Sequence, residues 1–232
     1  MKRRSFAAIG AVAAMMLTAG CGTFHKMPFD VASDKVEDKK AVYLLMVTLD
    51  NAYRSSFKPR LQSVVLDRRN GDKWEAMLLN ADVSGEVVVP GAAVNSYAAR
   101  MELAPGDYRL RALNANHYAV LMNSTFTVPM FTPLKVTEPR GVFYLGHLRG
   151  TLREAKPGDL SAIGIGGGLI AQEVSGAASG TFDVVIGDAW RTDEAIFRTQ
   201  FPALANVPVR KALLPAYDRA RVAREVAAAA GK

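Results

Sequence analysis

Apolar and polar positions along the chain alternate in short runs punctuated by Gly, Pro, Asn and Asp, which predicts a protein built mainly of β-strands. The densest run, Val42-Tyr43-Leu44-Leu45-Met46-Val47-Thr48-Leu49, is bounded by Asp50-Asn51 and has no polar face. Its length and residue types predict a strand over 41–49 buried on both sides. A second strand is expected over 60–67. Asn70-Gly71 then tolerates the positive φ of a tight hairpin, so 73–80 should return antiparallel. Further strands are expected over 83–89, ending at Pro90-Gly91, over 96–103, and over 108–113 after the turn Ala104-Pro105-Gly106-Asp107. In the last of these, Tyr108, Leu110 and Ala112 share one face while Arg109 and Arg111 share the other, as in a sheet with one buried side.

Short strands follow over 126–128 and 134–137, separated by Pro129 and Pro133, and another over 141–146. Between 160 and 182 the composition shifts to Gly, Ala and Ser; the apolar pieces 162–165 and 169–171 read as strand fragments joined by turns, and 181–186 as the last strand. After Gly187 the period becomes helical. Asp188 can cap a helix in which Trp190, Phe197 and Phe201 share a face until Pro202 ends it. Asn206-Val207-Pro208 could start a further helix, and 218–230, rich in Ala and Arg, should be helical. The expected architecture is an antiparallel β-sandwich over 41–187 with a helical C-terminal segment over 188–232.

The segment Leu103-Ala104-Pro105-Gly106-Asp107-Tyr108-Arg109-Leu110 resembles the strand, Pro-Gly turn and Tyr-containing strand of transthyretin-like and carboxypeptidase-regulatory-like sandwiches, and Gly141-Val142-Phe143-Tyr144-Leu145-Gly146 resembles a later strand of such domains. The resemblance implies an immunoglobulin- or transthyretin-like fold class and carries no catalytic residues with it.

The first residues carry a different kind of signal. Met1-Lys2-Arg3-Arg4 is a basic start, 6–17 is an apolar stretch too short to span a bilayer, and Leu17-Thr18-Ala19-Gly20-Cys21 resembles the lipobox of bacterial lipoproteins. That resemblance implies cleavage between Gly20 and Cys21, acyl chains on Cys21, and a polar tether over 21–40. Gly22 in place of Asp after the cysteine implies the outer membrane of a Gram-negative cell, with the folded part on the periplasmic face; inner-membrane retention is the alternative. Two or three acyl chains hold a protein firmly, because burial contributes about 0.8 kcal/mol per CH2.

Charge and chemistry add little to this picture. The net charge is +7, of which Lys2, Arg3 and Arg4 contribute three, and the remaining basic residues are dispersed rather than clustered with aromatics, so no nucleic-acid partner is expected. Cys21 is the only cysteine, so an acylated chain has no thiol for a disulfide or for catalysis. Ser55-Ser56-Phe57-Lys58 matches Ser-x-x-Lys, but its companion motifs are missing and 51–58 reads as a loop. His25, His117 and His147 are far apart, so no metal is assigned. Gly164-Ile165-Gly166-Gly167-Gly168 lacks the Lys-Ser/Thr of a phosphate loop. Glu138, Glu154, Asp159 and Asp183 are the acids from which a hydrolytic pair would be drawn. The expectation is a non-enzymatic, lipid-anchored protein without a cofactor beyond its acyl chains. It would bind or organise envelope proteins or glycans, with Ser55, Lys58, Gly166, Gly167 and Gly168 in the partner-binding loops. A carrier of a lipid or other apolar ligand, or an envelope hydrolase, is the alternative.

Overall fold

The structure is a computed structural model that describes residues 23–29, 35–36, 40–87, 94–119 and 122–230. The signal segment, Gly20 and Cys21 lie outside the described residues. The chain forms two mixed sheets facing one another. The first contains, in spatial order, β1 (Thr23–Lys26), β4 (Lys73–Asn80), β3 (Arg60–Asn70), β7 (Gly106–Ala119) and β8 (Met122–Val136). The second contains β10 (Gly180–Gly187), β9 (Gly141–Glu154), β2 (Ala41–Asn51), β6 (Asn95–Leu103) and β5 (Glu86–Val87), with β11 (Val209–Lys211) also on β9. Three α-helices, α1 (Leu169–Val174), α2 (Trp190–Gln200) and α3 (Arg219–Ala230), and two 3-10 turns, Val83–Gly85 and Pro202–Leu204, complete the described elements.

The dense apolar run becomes the centre of the molecule. On β2, Tyr43, Leu45, Val47 and Leu49 point into the core between the sheets, where they meet Leu66, Leu110, Phe126 and Leu148. Val42, Leu44 and Met46 point the other way, into a second core roofed by Phe197, Phe201 and Leu204. Two cores require a strand with no polar side, as the sequence pattern indicated. The hairpin also forms as expected: Asn70 pairs with Lys73, and Gly71 takes a φ of +57°.

Several expectations are corrected. The sandwich is mixed rather than antiparallel, because β2 pairs in parallel with β9, β1 with β4, and β11 with β9. The tether expected over 21–40 is in part folded: Thr23–Lys26 adds a strand to β4, and Met27 and Phe29 are buried, one in each core. Of the strand expected over 83–89, Val83–Gly85 is a 3-10 turn and only Glu86–Val87 is described as strand. Ala112 does not share the core face of Tyr108 and Leu110, since a bulge between Leu110 and Ala112 reverses the alternation and sends Leu113 and Ala115 inward. The pieces 126–128 and 134–137 belong to one long strand. β8 is an edge strand, so Pro129 and Pro133 cost no ladder bond on its open side, and Phe131 at φ +43° absorbs the irregularity. Residues 169–171 are helical, and 209–211 form β11 where Asn206-Val207-Pro208 had suggested a helix.

The first and last described segments are held by side chains. Arg100 on β6 is fully buried. Its Nε donates to the Pro28 carbonyl at 2.9 Å, its Nη2 to Asp82 Oδ2 at 2.8 Å and to Ser84 Oγ at 2.9 Å, and its guanidinium lies 4.3 Å from the Phe201 ring centroid. One cation thus ties the N-terminal segment, the 3-10 turn and the end of α2 to the sheet. At the other terminus Val222 of α3 is buried, and Arg219 reaches Asp183 Oδ1 at 2.6 Å and Asp159 Oδ1 at 3.3 Å.

Candidate functional site

Two places concentrate polar side chains or exposed apolar ones. The first is the end of the molecule formed by the carboxyl ends of β2 and β9. Asn51, the last residue of β2, is fully buried and organises that end. Its Nδ2 donates to the carbonyls of Phe57 and Ser175, both at 3.0 Å, while its Oδ1 accepts from the Arg54 amide at 2.7 Å. One side chain thereby closes loop 52–59 and fastens it to the loop that follows α1. Gly176 makes that approach possible, because a Cβ there would lie 2.7 Å from the Tyr53 ring, and its φ is +79°.

The glycine run is packed against the start of β8. A Cβ on Gly164 would fall 2.6 Å from the Thr125 carbonyl carbon, and one on Gly167 would fall 2.3 Å from Gln172 Nε2. Gln172 is buried and donates to Thr125 Oγ1 at 2.6 Å and to the Gly164 carbonyl at 3.0 Å. Ser124 Oγ donates to the Ala171 carbonyl at 2.9 Å, so α1 is bolted to β8 from both sides. With its buried face spent on β8, the helix turns Leu169 (84% exposed) and Ile170 (79%) to solvent. Ile165, Val174 and, at the end of β7, Tyr118 are exposed at the same end.

The five loop positions expected to bind a partner all lie at this end, in two roles. Ser55 is exposed, whereas Lys58 is half-buried with Nζ 2.5 Å from Asp50 Oδ1. No hydrogen bond joins Ser55 to Lys58 among the described residues, and the loop geometry leaves no serine–lysine dyad. Gly166, in the left-handed region at φ +85°, and Gly168 face open space; Gly167 is a packing residue. The apolar helix between Gly168 and Ser175 was missed as a helix because six residues flanked by glycines carry too little periodicity to declare one.

The second place is a polar chain on the outer face of the second sheet. Asp193 of α2 is buried; its Oδ2 accepts from the Tyr144 hydroxyl at 2.6 Å and its Oδ1 lies 3.1 Å from His147 Nδ1. A carboxylate only accepts, so the proton of this contact is on Nδ1, and Nε2 lies 2.8 Å from Thr48 Oγ1. Thr48 Oγ1 in turn shares a hydrogen bond of 2.7 Å with Ser96 Oγ. Burial first, then the Asp193 carboxylate, raise the Tyr144 hydroxyl well above the ordinary tyrosine range, keeping it a donor.

Hydroxyl, imidazole and carboxylate are connected here as in a nucleophile relay. Thr48, however, lies mid-strand between β6 and β9, where the local N–H groups are taken up by ladders on both sides and form no oxyanion site. What the chain does is dock α2: its Trp190 and Phe197 pack on Tyr144 and its carboxylate is received by two strand side chains. The sequence signal for it was Asp193 itself, an acid three residues after Trp190 and four before Phe197, on the apolar side of the helix.

Of the acids considered for hydrolysis, Asp159, Asp183 and Glu138 are engaged by cations, while Glu154 is exposed at the end of β9. Arg153 bridges Asp159 and Asp183, each at 2.8 Å, Arg219 joins both, and Glu138 lies 3.7 Å from Arg210. Among the described residues no group of three His, Cys, Asp or Glu is placed to hold a metal ion, and no helix is long and apolar enough to cross a membrane. Comparison with protein-family models, with curated proteins and with solved structures finds no match.

Proposed function

We propose that this chain is a lipid-anchored protein of the outer membrane's periplasmic face, held through Cys21, which acts without catalysis by binding an envelope protein or glycan. In this reading the sheets are a divergent immunoglobulin- or transthyretin-like sandwich used as a rigid stand. The observation that carries the reading is the exposed apolar end: Leu169 and Ile170 stand out from a helix whose other side is hydrogen-bonded down to β8. A partner that covered both would gain roughly 3–6 kcal/mol from apolar burial, without having to order the segment first. Ser55, Gly166 and Gly168 border the same surface and supply polar and backbone contacts.

A carrier reading is less well supported. The cavity lined by Val47, Leu49, Leu61, Glu86, Ser96 and Tyr97 has a volume of about 150 Å³, small for an apolar ligand, and the space between the sheets is filled by side chains. A hydrolase reading is weakened by the pairing of three of its four candidate acids, Asp159, Asp183 and Glu138, with arginines.

The test is affinity capture from detergent-solubilised envelope with the tagged mature protein beside its Leu169→Asp/Ile170→Asp variant. A protein or glycan recovered by the first and lost with the second supports the reading; identical recoveries from both would overturn it. The anchor is tested separately, since Cys21→Ala should abolish fatty-acid labelling, and persistent labelling would refute acylation at that residue.

A further inference from the structure

The described chain begins as a strand, and that fixes how closely an anchor at Cys21 would hold it. Thr23 pairs with Met77 on β4. Cys21 is two residues earlier, a span of about 7 Å at most, so acyl chains there leave no free tether ahead of the first sheet. β1 runs parallel to β4, so its amino end points toward the β3–β4 hairpin and away from the loop end that carries Leu169.

The outer face of the sheet beside β1 is aromatic and basic. Phe24 is 69% exposed and pairs with Leu78, which places it on the same face as Trp74, four residues before Leu78 and 41% exposed. The Arg109 guanidinium lies 4.6 Å from the Trp74 ring centroid and that of Arg69 lies 6.0 Å from it. Lys26 lies on this face as well, and Arg111 beside Arg109. Of the acids nearby, Asp67 is buried under Arg109 and Arg111, and Glu225 lies 3.2 Å from Arg109. Glu75 alternates to the opposite face, where it accepts from Asn70 Nδ2.

We infer that this face, centred on Phe24 and Trp74 and edged by Lys26, Arg69 and Arg111, rests on the surface of an anionic lipid bilayer. The inference builds on the proposed acylation of Cys21 and adds an orientation to it. Tryptophan and phenylalanine place their rings at the level of the headgroups, and neighbouring guanidinium and ammonium groups meet lipid phosphates. A short link, two exposed aromatics on one face and the basic residues beside them together select the bilayer. The end that carries Leu169 and Ile170 lies at the far end of the strands from the anchor.

The experiment uses the full acylated protein in vesicles of phosphatidylethanolamine and phosphatidylglycerol whose chains are brominated near the headgroup. The chain has two tryptophans, and Trp190→Phe leaves Trp74 as the reporter. Trp74 emission should fall by about twofold or more and shift to the blue, as for a ring at the interface. The difference between the unaltered protein and its Trp74→Phe variant gives the same reading with Trp190 kept. Full emission from Trp74, still quenched by aqueous iodide while mass spectrometry finds acyl chains on Cys21, would overturn the orientation and leave the anchor standing. An unacylated N-terminal peptide would overturn both.

Discussion

Removing the Arg100 guanidinium is the sharpest test of how the three peripheral segments are held. Arg100→Met keeps most of the buried length and the contact with Phe201 but takes away every donor. The Pro28 carbonyl loses its partner, and Asp82, whose side chain is 27% exposed, loses its cation. Breaking a buried pair from one side costs about 3–5 kcal/mol, and the partial exposure of Asp82 puts this case near ~3 kcal/mol. For the chain beginning at residue 22, urea unfolding followed by fluorescence should show a midpoint lower by ~1 M, taking m as about 3 kcal/mol/M. Adding Asp82→Asn removes the stranded charge while its amide oxygen can still cap Gly85 N, now 3.1 Å from Asp82 Oδ1. The double variant should therefore recover roughly 1–2 kcal/mol relative to Arg100→Met. A single variant within about 0.5 kcal/mol of the parent, or a double variant no better than the single, would refute the clamp.

Two further outcomes follow from geometry and charge. Gly164→Ala should destabilise by roughly 1–3 kcal/mol in thermal or urea unfolding, because its Cβ meets backbone at 2.6 Å, whereas Gly168→Ala, with nothing within 4 Å, should stay within about 0.5 kcal/mol; equal effects would contradict the packing described. The Arg153 guanidinium, then the Lys156 amide, hold the Asp159 carboxyl below its ordinary 3.8, so its stabilising contribution is complete above that value and is lost as pH falls through the lowered one. Asp159→Asn should flatten this part of the acid limb of a stability–pH profile, and an unchanged acid limb would argue against the pairing.

The strands that sequence reading recovered are those whose pattern is enforced locally. β2 is apolar throughout because both its faces are covered, and Asn70-Gly71 marks a hairpin by backbone preference alone. Errors came where a distant partner decides. Residues 23–29 look like polar tether until β4 offers Thr23–Lys26 an edge and two cores accept Met27 and Phe29. Pro129 and Pro133 read as breaks because nothing local says that β8 lies at an edge. The loop end was legible as a place, since Asn51–Lys58 and the glycine run carry turn chemistry. Its organisation was not, because the Asn51–Ser175 bond joins positions 124 residues apart.

The parallel pairing of β2 with β9 sets a schedule for folding. Thr48 and His147, neighbours in the finished sheet, are 99 positions apart, so a growing chain presents β2 long before its central partner exists. At about 5–20 residues per second that wait is roughly 5–20 s. During it the β2 edge that β9 will pair stays open, its other face waits longer still for Phe197, Phe201 and Leu204, and a contact of such long range closes late. Chains truncated before residue 141 should therefore be less soluble than the full chain, and equal solubility would refute this schedule.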